Sequence, residues 1–452
     1  MKLRVLYKAI HGFDLFQFFG LPSFTWACFI KRMEEHGIRP WLFKEGEMDM
    51  VCFFNNNVRG GQSGVMLRIG IGNNPFVDGY DPSKPITYIL YFDANKLYGW
   101  AMCQFLPCED FEWLPEEAFE GMAENPERFV EWLKERYGDD QGKGCYVECD
   151  LYAPPSIHDK TAYYPLAPVT GTVDEKLLSA FQKEMHKQAG STHDGRSRLL
   201  LQDLLPKKRY GTYYKNLLFY LKKGMRMKKI HRILQFTEKK VMEPNILVNQ
   251  AQREQATNDA DKNSWKYLNN GGYGKCLENP KNHDQIKFAS TPEKVDKVVR
   301  DPGFDGYCFH SDNLLIAKMK HTSFTFDKPI YLGCTITELA KLHMYEFYYD
   351  VLQEHFGWEN LKLCMTDTDS LMVEVTLPKE RIEAKTANMP EGQKKWDIYD
   401  EIREIQENYD CPIDTSTFQK AVVISKSIKG EHNKKHGYFK SETGSSVIKE
   451  FV

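Results

Sequence analysis

The chain has 452 residues, of which 42% are hydrophobic, 27% charged and 13% aromatic, a composition that excludes an intrinsically disordered protein. Its formal net charge of −3 does not by itself indicate a nucleic-acid binder, and no apolar run approaches the roughly 20 residues needed to cross a bilayer. The length predicts two or three lobes, and no membrane partner is expected.

The first 80 residues mix short helical and loop patterns and end in the turn-rich stretch NNPFVDGYDPSKP. The N-terminus is basic but lacks the apolar core and small-residue cleavage site of a signal peptide. The next stretch, ITYILYFDA, is rich in β-branched and aromatic residues, which predicts a strand that ends near Asp93.

Two charged segments of opposite sign follow. Residues 109–140 are strongly acidic, and their apolar spacing predicts short helices. Residues 206–240 hold twelve lysines and arginines against a single acid, with four tyrosines in between. A basic stripe with interleaved aromatic rings is typical of contact with a phosphate backbone, although a solvated helix face has the same composition.

The second half of the chain alternates predicted helices and strands. Residues 173–205 look helical and connective, and residues 244–270 predict one long polar helix that begins at Pro244 and ends at the pair Gly271–Gly272. A helix with an apolar stripe follows, and LKLCMTDTDSLMVEV (361–375) then reads as strand, tight turn and strand. This order predicts an α+β fold in which helices cover one face of an antiparallel sheet.

Three acids in these predicted strands are candidates for metal binding. Asp93 ends a strand, and Asp367 and Asp369 flank the turn of the later hairpin. Two carboxylates this close raise at least one pKa unless a cation neutralises them, and hard divalent cations such as Mg²⁺ prefer oxygen ligands. A strand-end cap and a solvated acidic turn are the alternative interpretations.

The stretch KYLNNGGYGK lies at the C-terminal end of the predicted polar helix. Lys262, Lys266, Asn270 and Tyr273 are spaced by four, four and three residues and therefore share one helical face. Two ammonium groups there can meet a triphosphate, and the aromatic ring can lie against a sugar or base. A solvated lysine ladder is the alternative.

Taken together, the strand-end acid followed by LYGWAM, the K…NGGYG stretch and DTDS resemble the three polymerase motifs of B-family DNA polymerases. DANKLYGWAM and IYLGCTITELAKLHMYEF are more similar to the protein-primed branch found in linear plasmids, certain viruses and self-synthesising DNA transposons. VRGG (58–61), YPLAP (164–168) and the basic segment also look like parts of that branch. The resemblance runs from about residue 20 to the end of the chain.

The resemblance implies a right-hand polymerase with a palm sheet, helical fingers and two Mg²⁺ ions. The implied catalytic residues are Asp93, Asp367 and Asp369, and the implied metal ligands are Asp93, Ala94 and Asp369. The implied nucleotide-binding residues are Tyr98, Lys262, Lys266, Asn270 and Tyr273, with Tyr98 beneath the sugar to reject a 2′-hydroxyl. The implied DNA-binding residues are Arg59, Gly60, Gly61, Lys207, Lys208 and Arg209.

The resemblance also implies a domain plan. Residues 1–80 would be a remnant linker that contains VRGG, and residues 81–205 would form the first part of the palm, with an acidic helical insertion. Residues 206–290 would form the basic DNA-contacting segment and the fingers, and residues 291–452 the second part of the palm. A proofreading exonuclease and a complete thumb are expected to be missing, so the chain looks truncated at both ends. Lys96, Gly271 and Met365 depart from residues usual in the family.

The implied activity is template-directed DNA synthesis during DNA replication, with template-primer DNA and a deoxynucleoside triphosphate as partners. Protein priming would add a terminal protein as a further partner. Two alternatives use the same acids: an inactive polymerase-like relic that only binds nucleic acid, and a two-metal nuclease. The nuclease would leave the lysine–tyrosine face without a triphosphate to bind.

Eleven cysteines without a CxxC pair predict reduced thiols in an intracellular protein. Cys145 and Cys149 lack the second ligand pair that a structural zinc site needs. The sequence does not distinguish a nucleus, a mitochondrion or a viral factory as the compartment.

Overall fold

A computed structural model describes residues 2–190, 198–280, 285–320, 325–390, 395–410, 413–416, 435–443 and 447–452. Its helices are α1 (Lys2–His11), α2 (Leu21–Glu35), α3 (Met48–Asn57), α4 (Leu97–Met102), α5 (Pro126–Arg136), α6 (His158–Thr161), α7 (Ala180–Gln188), α8 (Tyr214–Lys222), α9 (Glu243–Gln255), α10 (Asp259–Cys276), α11 (Pro292–Val299), α12 (Ile330–Tyr345), α13 (Gln353–Phe356), α14 (Lys379–Thr386) and α15 (Ile398–Asn408).

The strands are β1 (Ser63–Val65), β2 (Gly70–Ile71), β3 (Ile86–Ala94), β4 (Leu106–Trp113), β5 (Lys143–Tyr152), β6 (Val169–Gly171), β7 (Leu199–Leu201), β8 (Lys207–Tyr213), β9 (Arg226–Lys239), β10 (Gln285–Ala289), β11 (Phe304–Ser311), β12 (Leu314–Met319), β13 (Leu361–Asp367), β14 (Ser370–Leu377), β15 (Ile413–Asp414), β16 (Phe439–Ser441) and β17 (Glu450–Phe451). The predicted α+β class is confirmed.

The largest sheet has six strands in the order β1-β13-β14-β3-β16-β15. All its neighbours are antiparallel except the edge pair β15–β16, which is parallel, so the predicted antiparallel sheet is wrong only at that edge. Phe347, in the π-helical segment after α12, packs against Phe92 of β3 with ring centroids 5.3 Å apart and stacks on Phe439 of β16. A helical layer therefore covers this part of the sheet.

A second sheet has the order β4-β9-β5-β8 and contains most of the basic segment. The acidic segment contains the predicted short helices, with α5 as the longest, but its first residues belong to strand β4, which the prediction missed. The four tyrosines of the basic segment are all buried: Tyr210, Tyr213, Tyr214 and Tyr220. Because these rings belong to the large hydrophobic core, they cannot serve as part of an exposed DNA-binding stripe.

The predicted single helix over 244–270 is wrong at both its middle and its end. The chain forms α9 and α10, separated by 256–258, where Asn258 caps α10 by accepting a hydrogen bond from the Asp261 amide. Helix α10 also continues through Gly271 and Gly272. A Cβ on Gly272 would lie 2.3 Å from the Phe29 ring of α2, so this glycine allows two helices to approach closely.

A third sheet, β10-β12-β11, packs with α11 around its own small core. It separates α10 from α12 in sequence. The described part of the region 173–205, predicted to be helical and connective, contains helix α7 and strand β7, which pairs with β6 in a two-stranded sheet.

Among the described residues, every helix is too short or too polar to cross a membrane.

Candidate active site

The acids Asp93 and Asp369 come together through strand pairing in the large sheet. Asp93 of β3 is the register partner of Ser370, the first residue of β14. The Ala94 amide donates a hydrogen bond of 2.7 Å to the carbonyl oxygen of Asp369. Because backbone pairing fixes both strands at this point, the two acids from distant parts of the sequence lie side by side at the same end of two neighbouring central strands.

The turn between β13 and β14 is held in place by hydrogen bonds and close packing with the segment that contains VRGG. Thr368 adopts a left-handed backbone conformation, with φ of 59°, and its amide donates a 2.7 Å hydrogen bond to the Gln62 carbonyl. The Ser63 hydroxyl donates to Asp367 Oδ1 at 2.7 Å. A Cβ on Gly61 would lie 2.6 Å from the Thr368 side chain, so this glycine makes room for the turn.

The acids differ in their surroundings. Burial raises the pKa of Asp369 to about 6, and the charges of Asp93 and Asp367 add to this effect, while the Lys266 charge opposes it. Burial also raises the pKa of Asp93, although the Lys440 charge opposes that shift. Asp367 is exposed and is held by its hydrogen bond from Ser63. The inner pair therefore carries negative charge that the protein compensates only in part.

Helix α10 brings one of the predicted lysines to these acids. Lys266 is exposed, and its charge acts on both Asp93 and Asp369. Lys262, one turn earlier, lies 3.8 Å from Asp259 in an ion pair along the helix. Asn270, one turn later, is exposed.

Tyr98 and Tyr273 form the aromatic part of the site. Tyr98 belongs to α4, which follows β3 directly, and Tyr273 belongs to the last turn of α10. Their rings stack with centroids 4.5 Å apart and an interplanar angle of 16°. Burial raises the pKa of both phenols, and the neighbouring Tyr273 and the Asp369 charge add to the effect on Tyr98. The stack joins the strand-end acid to the lysine helix.

Of the residues predicted to bind DNA, Arg59 has a buried side chain. Its guanidinium donates to the Gly211 carbonyl at 3.0 Å, lies 3.8 Å from the Tyr210 ring centroid and is 3.6 Å from Glu338. Lys341, in turn, donates to the carbonyl oxygens of Arg59 and Gly60. In this conformation Arg59 can position the loop that follows it but cannot itself touch DNA.

The three basic residues at the start of β8 differ in the exposure of their side chains and in their partners. Lys207 is buried and paired with Asp203, whereas Lys208 is exposed. Arg209 has a left-handed backbone with φ of 48° and donates to Glu148 at 3.1 Å. Lys208 therefore has the side chain best placed to meet a phosphate from this group.

Another group of possible metal ligands, His355, Glu401 and Glu404, has donor atoms within 4.8 Å of one another. Cations of the chain already bind both carboxylates, since Arg381 donates to Glu401 at 2.6 Å and Lys385 donates to Glu404 at 2.6 Å. Burial opposes ionisation of Glu401, but hydrogen bonds from its neighbours outweigh it and lower the pKa to about 2. This group is an ion-pair network.

Sequence reasoning missed three neighbours of the acids, Gln62, Ser63 and Lys440. Lys440 of β16 lies 3.1 Å from Asp93 Oδ1. Burial disfavours its ammonium form, but the hydrogen bond to Glu442 and the charge of Asp93 outweigh that effect and raise the pKa of Lys440. The only sequence signal was the alternation in GYFKSE, which is too short to set a strand register.

No protein-family model and no curated protein matches the chain. Among solved structures, the chain is similar to phi29 DNA polymerase complexed with primer-template DNA (post-translocation binary complex), with 14% identity, coverage of 99% of this chain and 55% of that one, and a TM-score of 0.49. The orthorhombic crystal form of phi29 DNA polymerase gives 13% identity, coverage of 94% and 53%, and a TM-score of 0.45. The chain thus spans about half the length of these structures.

Proposed function

We propose that the chain is a DNA-directed DNA polymerase that joins the α-phosphate of a deoxynucleoside triphosphate to a primer 3′-hydroxyl and releases pyrophosphate, with two Mg²⁺ ions. The observation that carries this proposal is that Asp93 and Asp369 lie side by side at the same end of two neighbouring strands, with Lys266 close enough for its charge to act on both. The resemblance of the three motifs to protein-primed B-family polymerases supports the same function.

The residues present fit a divalent cation. Carboxylates of Asp93 and Asp369 and the backbone carbonyl of Ala94 are hard oxygen donors of the kind that Mg²⁺ prefers. The raised pKa of Asp369 reflects negative charge that burial leaves without sufficient compensation. A bound cation would remove that cost, so the electrostatics and the donor set point the same way.

When bound, the two ions would supply activation of the 3′-hydroxyl and stabilisation of the charge that develops on the transferred phosphoryl group. In this proposal Asp93 and Asp369 hold the ions, and Asp367 remains their outer neighbour. Lys266, with Lys262, neutralises the triphosphate and orients it for in-line attack. Covalent participation of a side chain is not required.

The aromatic stack would shape the nucleotide pocket. Tyr98 would lie beneath the sugar and exclude a 2′-hydroxyl by contact, and Tyr273 and Asn270 would complete the wall. The stacking of the two rings at 4.5 Å supports a single pocket surface formed by α4 and α10. Sugar selection would then depend on both helices.

Template-primer DNA would be bound through its backbone, because base pairing supplies the choice of nucleotide. The exposed Gly60 and the adjacent Gly61 would line the template path, with Arg59 holding the loop from inside. Lys208 would add a phosphate contact. Priming by a terminal protein, and the division into palm and fingers at the boundaries given above, belong to the same proposal.

A primer-extension assay with Mg²⁺ tests the proposal. Asp369→Asn should abolish extension while binding of template-primer DNA, measured by fluorescence anisotropy, survives. Asp78→Asn, at an exposed acid away from the large sheet's hairpin, is the matched control and should extend normally. Extension by the Asp369→Asn protein at the wild-type rate would contradict the assignment. A wild-type chain that binds DNA but never lengthens it would instead be the inactive relic.

A further inference from the structure

Asp93 has a neighbour on each side in the large sheet. On one side the register partner is Ser370 of β14, and on the other it is Lys440 of β16. The Lys440 ammonium lies 3.1 Å from Asp93 Oδ1. Because strand pairing sets this neighbour, the lysine is a fixed feature of the acid's surroundings and not a chance contact of a surface side chain.

Lys440 has a second carboxylate within reach. Its ammonium also pairs with Glu442, two residues further along the chain, whose amide is bonded to the Tyr91 carbonyl at 2.9 Å. The three side chains are only partly exposed, at 30% for Lys440, 23% for Asp93 and 35% for Glu442. The ammonium therefore bridges one acid of the candidate site and one acid outside it.

A cation bound at Asp93 and the Lys440 ammonium would compete for the same carboxylate oxygen. If the cation displaces the Lys440 ammonium from Asp93, the ammonium can stay paired with Glu442 with little movement, because the two already form an ion pair. Without the lysine, Asp93 and Asp369 would repel each other more strongly while no cation is bound. With it, cation binding has to displace an existing ion pair.

We propose that Lys440 is a tethered counter-ion of the cation site: it neutralises Asp93 before a divalent cation binds and transfers to Glu442 when one arrives. This inference rests on the proposed function only in that Asp93 binds a divalent cation. The device weakens binding of a free cation at the acids. A cation delivered together with the negative charge of a nucleoside triphosphate is affected less, because the triphosphate gives the ammonium a further anionic partner.

Binding of Mn²⁺ to the full chain, without DNA or nucleotide, tests the inference by isothermal titration calorimetry. Lys440→Met should tighten Mn²⁺ binding about tenfold, corresponding to about 1.4 kcal/mol for the lost competitor. Glu442→Gln should weaken binding about threefold, because the ammonium then has only Asp93 to occupy. In the Lys440→Met background, Glu442→Gln should have no effect.

The double variant separates transfer of the lysine from a general change of charge. If Glu442→Gln weakens Mn²⁺ binding equally in wild type and in Lys440→Met, Glu442 acts only through its negative charge at a distance. The proposed transfer of the Lys440 ammonium to Glu442 is then wrong. If Lys440→Met leaves the affinity unchanged, Lys440 does not compete and the proposal is overturned. Lys362→Met, which removes another cross-strand ion pair of this sheet, between Lys362 and Glu374 at 3.0 Å, is the control and should bind Mn²⁺ like wild type.

The same titration distinguishes this inference from the proposed function. Asp93→Asn should abolish most of the Mn²⁺ binding. If wild type shows no Mn²⁺ binding that depends on Asp93, the cation site and the counter-ion are both refuted. If binding depends on Asp93 but not on Lys440, only the counter-ion is refuted. Circular dichroism spectra and melting temperatures of all variants establish that they are folded.

Discussion

The carboxylates and the lysines of the candidate site are held in different ways. Asp93 and Asp369 lie on paired strands, and their backbone is fixed by the Ala94 hydrogen bond and by the loop around Gly61. Lys266 instead extends from the exposed face of α10, whose opposite face packs on α2. The acids are positioned by backbone geometry, whereas the lysine acts through charge on a flexible stem.

The carboxylates form one half of the site and the lysines the other, and this difference indicates which half tolerates substitution better. A displacement of the acids alters the geometry in which ligands are held, and reactions that depend on such geometry lose rate steeply. A change at the lysine alters an electrostatic attraction that acts over several ångströms and is screened by solvent. Variants in the two halves should therefore differ in both the size and the kind of their effects.

Among substitutions that leave the acids themselves in place, the largest effect on primer extension is expected from Gly61→Ala at the carboxylate turn. The new Cβ would lie 2.6 Å from the Thr368 side chain, so the turn that carries Asp369 has to shift. We expect primer extension to fall about 100-fold, the loss typical of a misplacement near 1 Å. Single-turnover extension measures the effect, with DNA binding followed in parallel.

Gly60→Ala is the matched control for this variant. A Cβ on Gly60 meets nothing within 4 Å, so the substitution adds the same methyl group to the same loop without a clash. Because Gly60 lies in the proposed template path, the template-primer DNA is kept saturating, and under that condition the extension rate of Gly60→Ala should be close to wild type. Equal losses in Gly60→Ala and Gly61→Ala would show that the contact with Thr368 does not position the turn.

A smaller effect of a different kind is expected from Lys266→Gln. If the lysine binds the triphosphate by charge, the KM for the deoxynucleoside triphosphate should rise about tenfold while kcat changes little. Steady-state extension at varied nucleotide concentration separates the two constants. Lys294→Gln, at an exposed lysine of α11, is the control. A fall in kcat at unchanged KM would mean that Lys266 acts in the transition state and not in nucleotide binding.

The local patterns predicted the strands and the turn of the site correctly. Alternation in ITYILYFDA and LKLCMTDTDSLMVEV was sufficient to predict β3, β13 and β14, and the acids at their ends followed from that. The pattern also placed Lys266 on a helix. Each of these predictions depends on neighbours within a few residues.

The features that sequence reasoning missed depend on distant partners. Glycine is unfavourable inside a helix, but Gly272 lies within α10, where the Phe29 ring packs against it. Tyr210 belongs to a basic run, but the pairing of β8 with β5 turns it into the core. Lys440 meets Asp93 only because β16 pairs with β3 in one register. Local spacing carries no information on such contacts.

The smallest expected effect concerns stability in the absence of metal. The pKa of Asp369 is raised from 3.8 to about 6, so the folded protein favours the protonated acid. The stabilising effect of that proton is complete below the ordinary value of 3.8 and is lost as pH rises through about 6. At pH 8 the ionised carboxylate therefore destabilises the fold by about 1 kcal/mol, after allowance for solvent screening.

Asp369→Asn should accordingly raise the melting temperature at pH 8 by about 1 °C, measured by calorimetry with a chelator present. At pH 5 the gain should shrink by about half, because the folded wild type is then mostly protonated while its unfolded chain is mostly ionised. Asp78→Asn, at an exposed acid, is the control for the substitution itself and should leave the melting temperature at pH 8 unchanged. A gain of equal size at both pH values would mean that the substitution acts through packing and that the charge at Asp369 carries no cost. Added Mg²⁺ should remove the difference in melting temperature between Asp369→Asn and wild type at pH 8. It should stabilise wild type alone, because only wild type keeps the carboxylate that binds the ion.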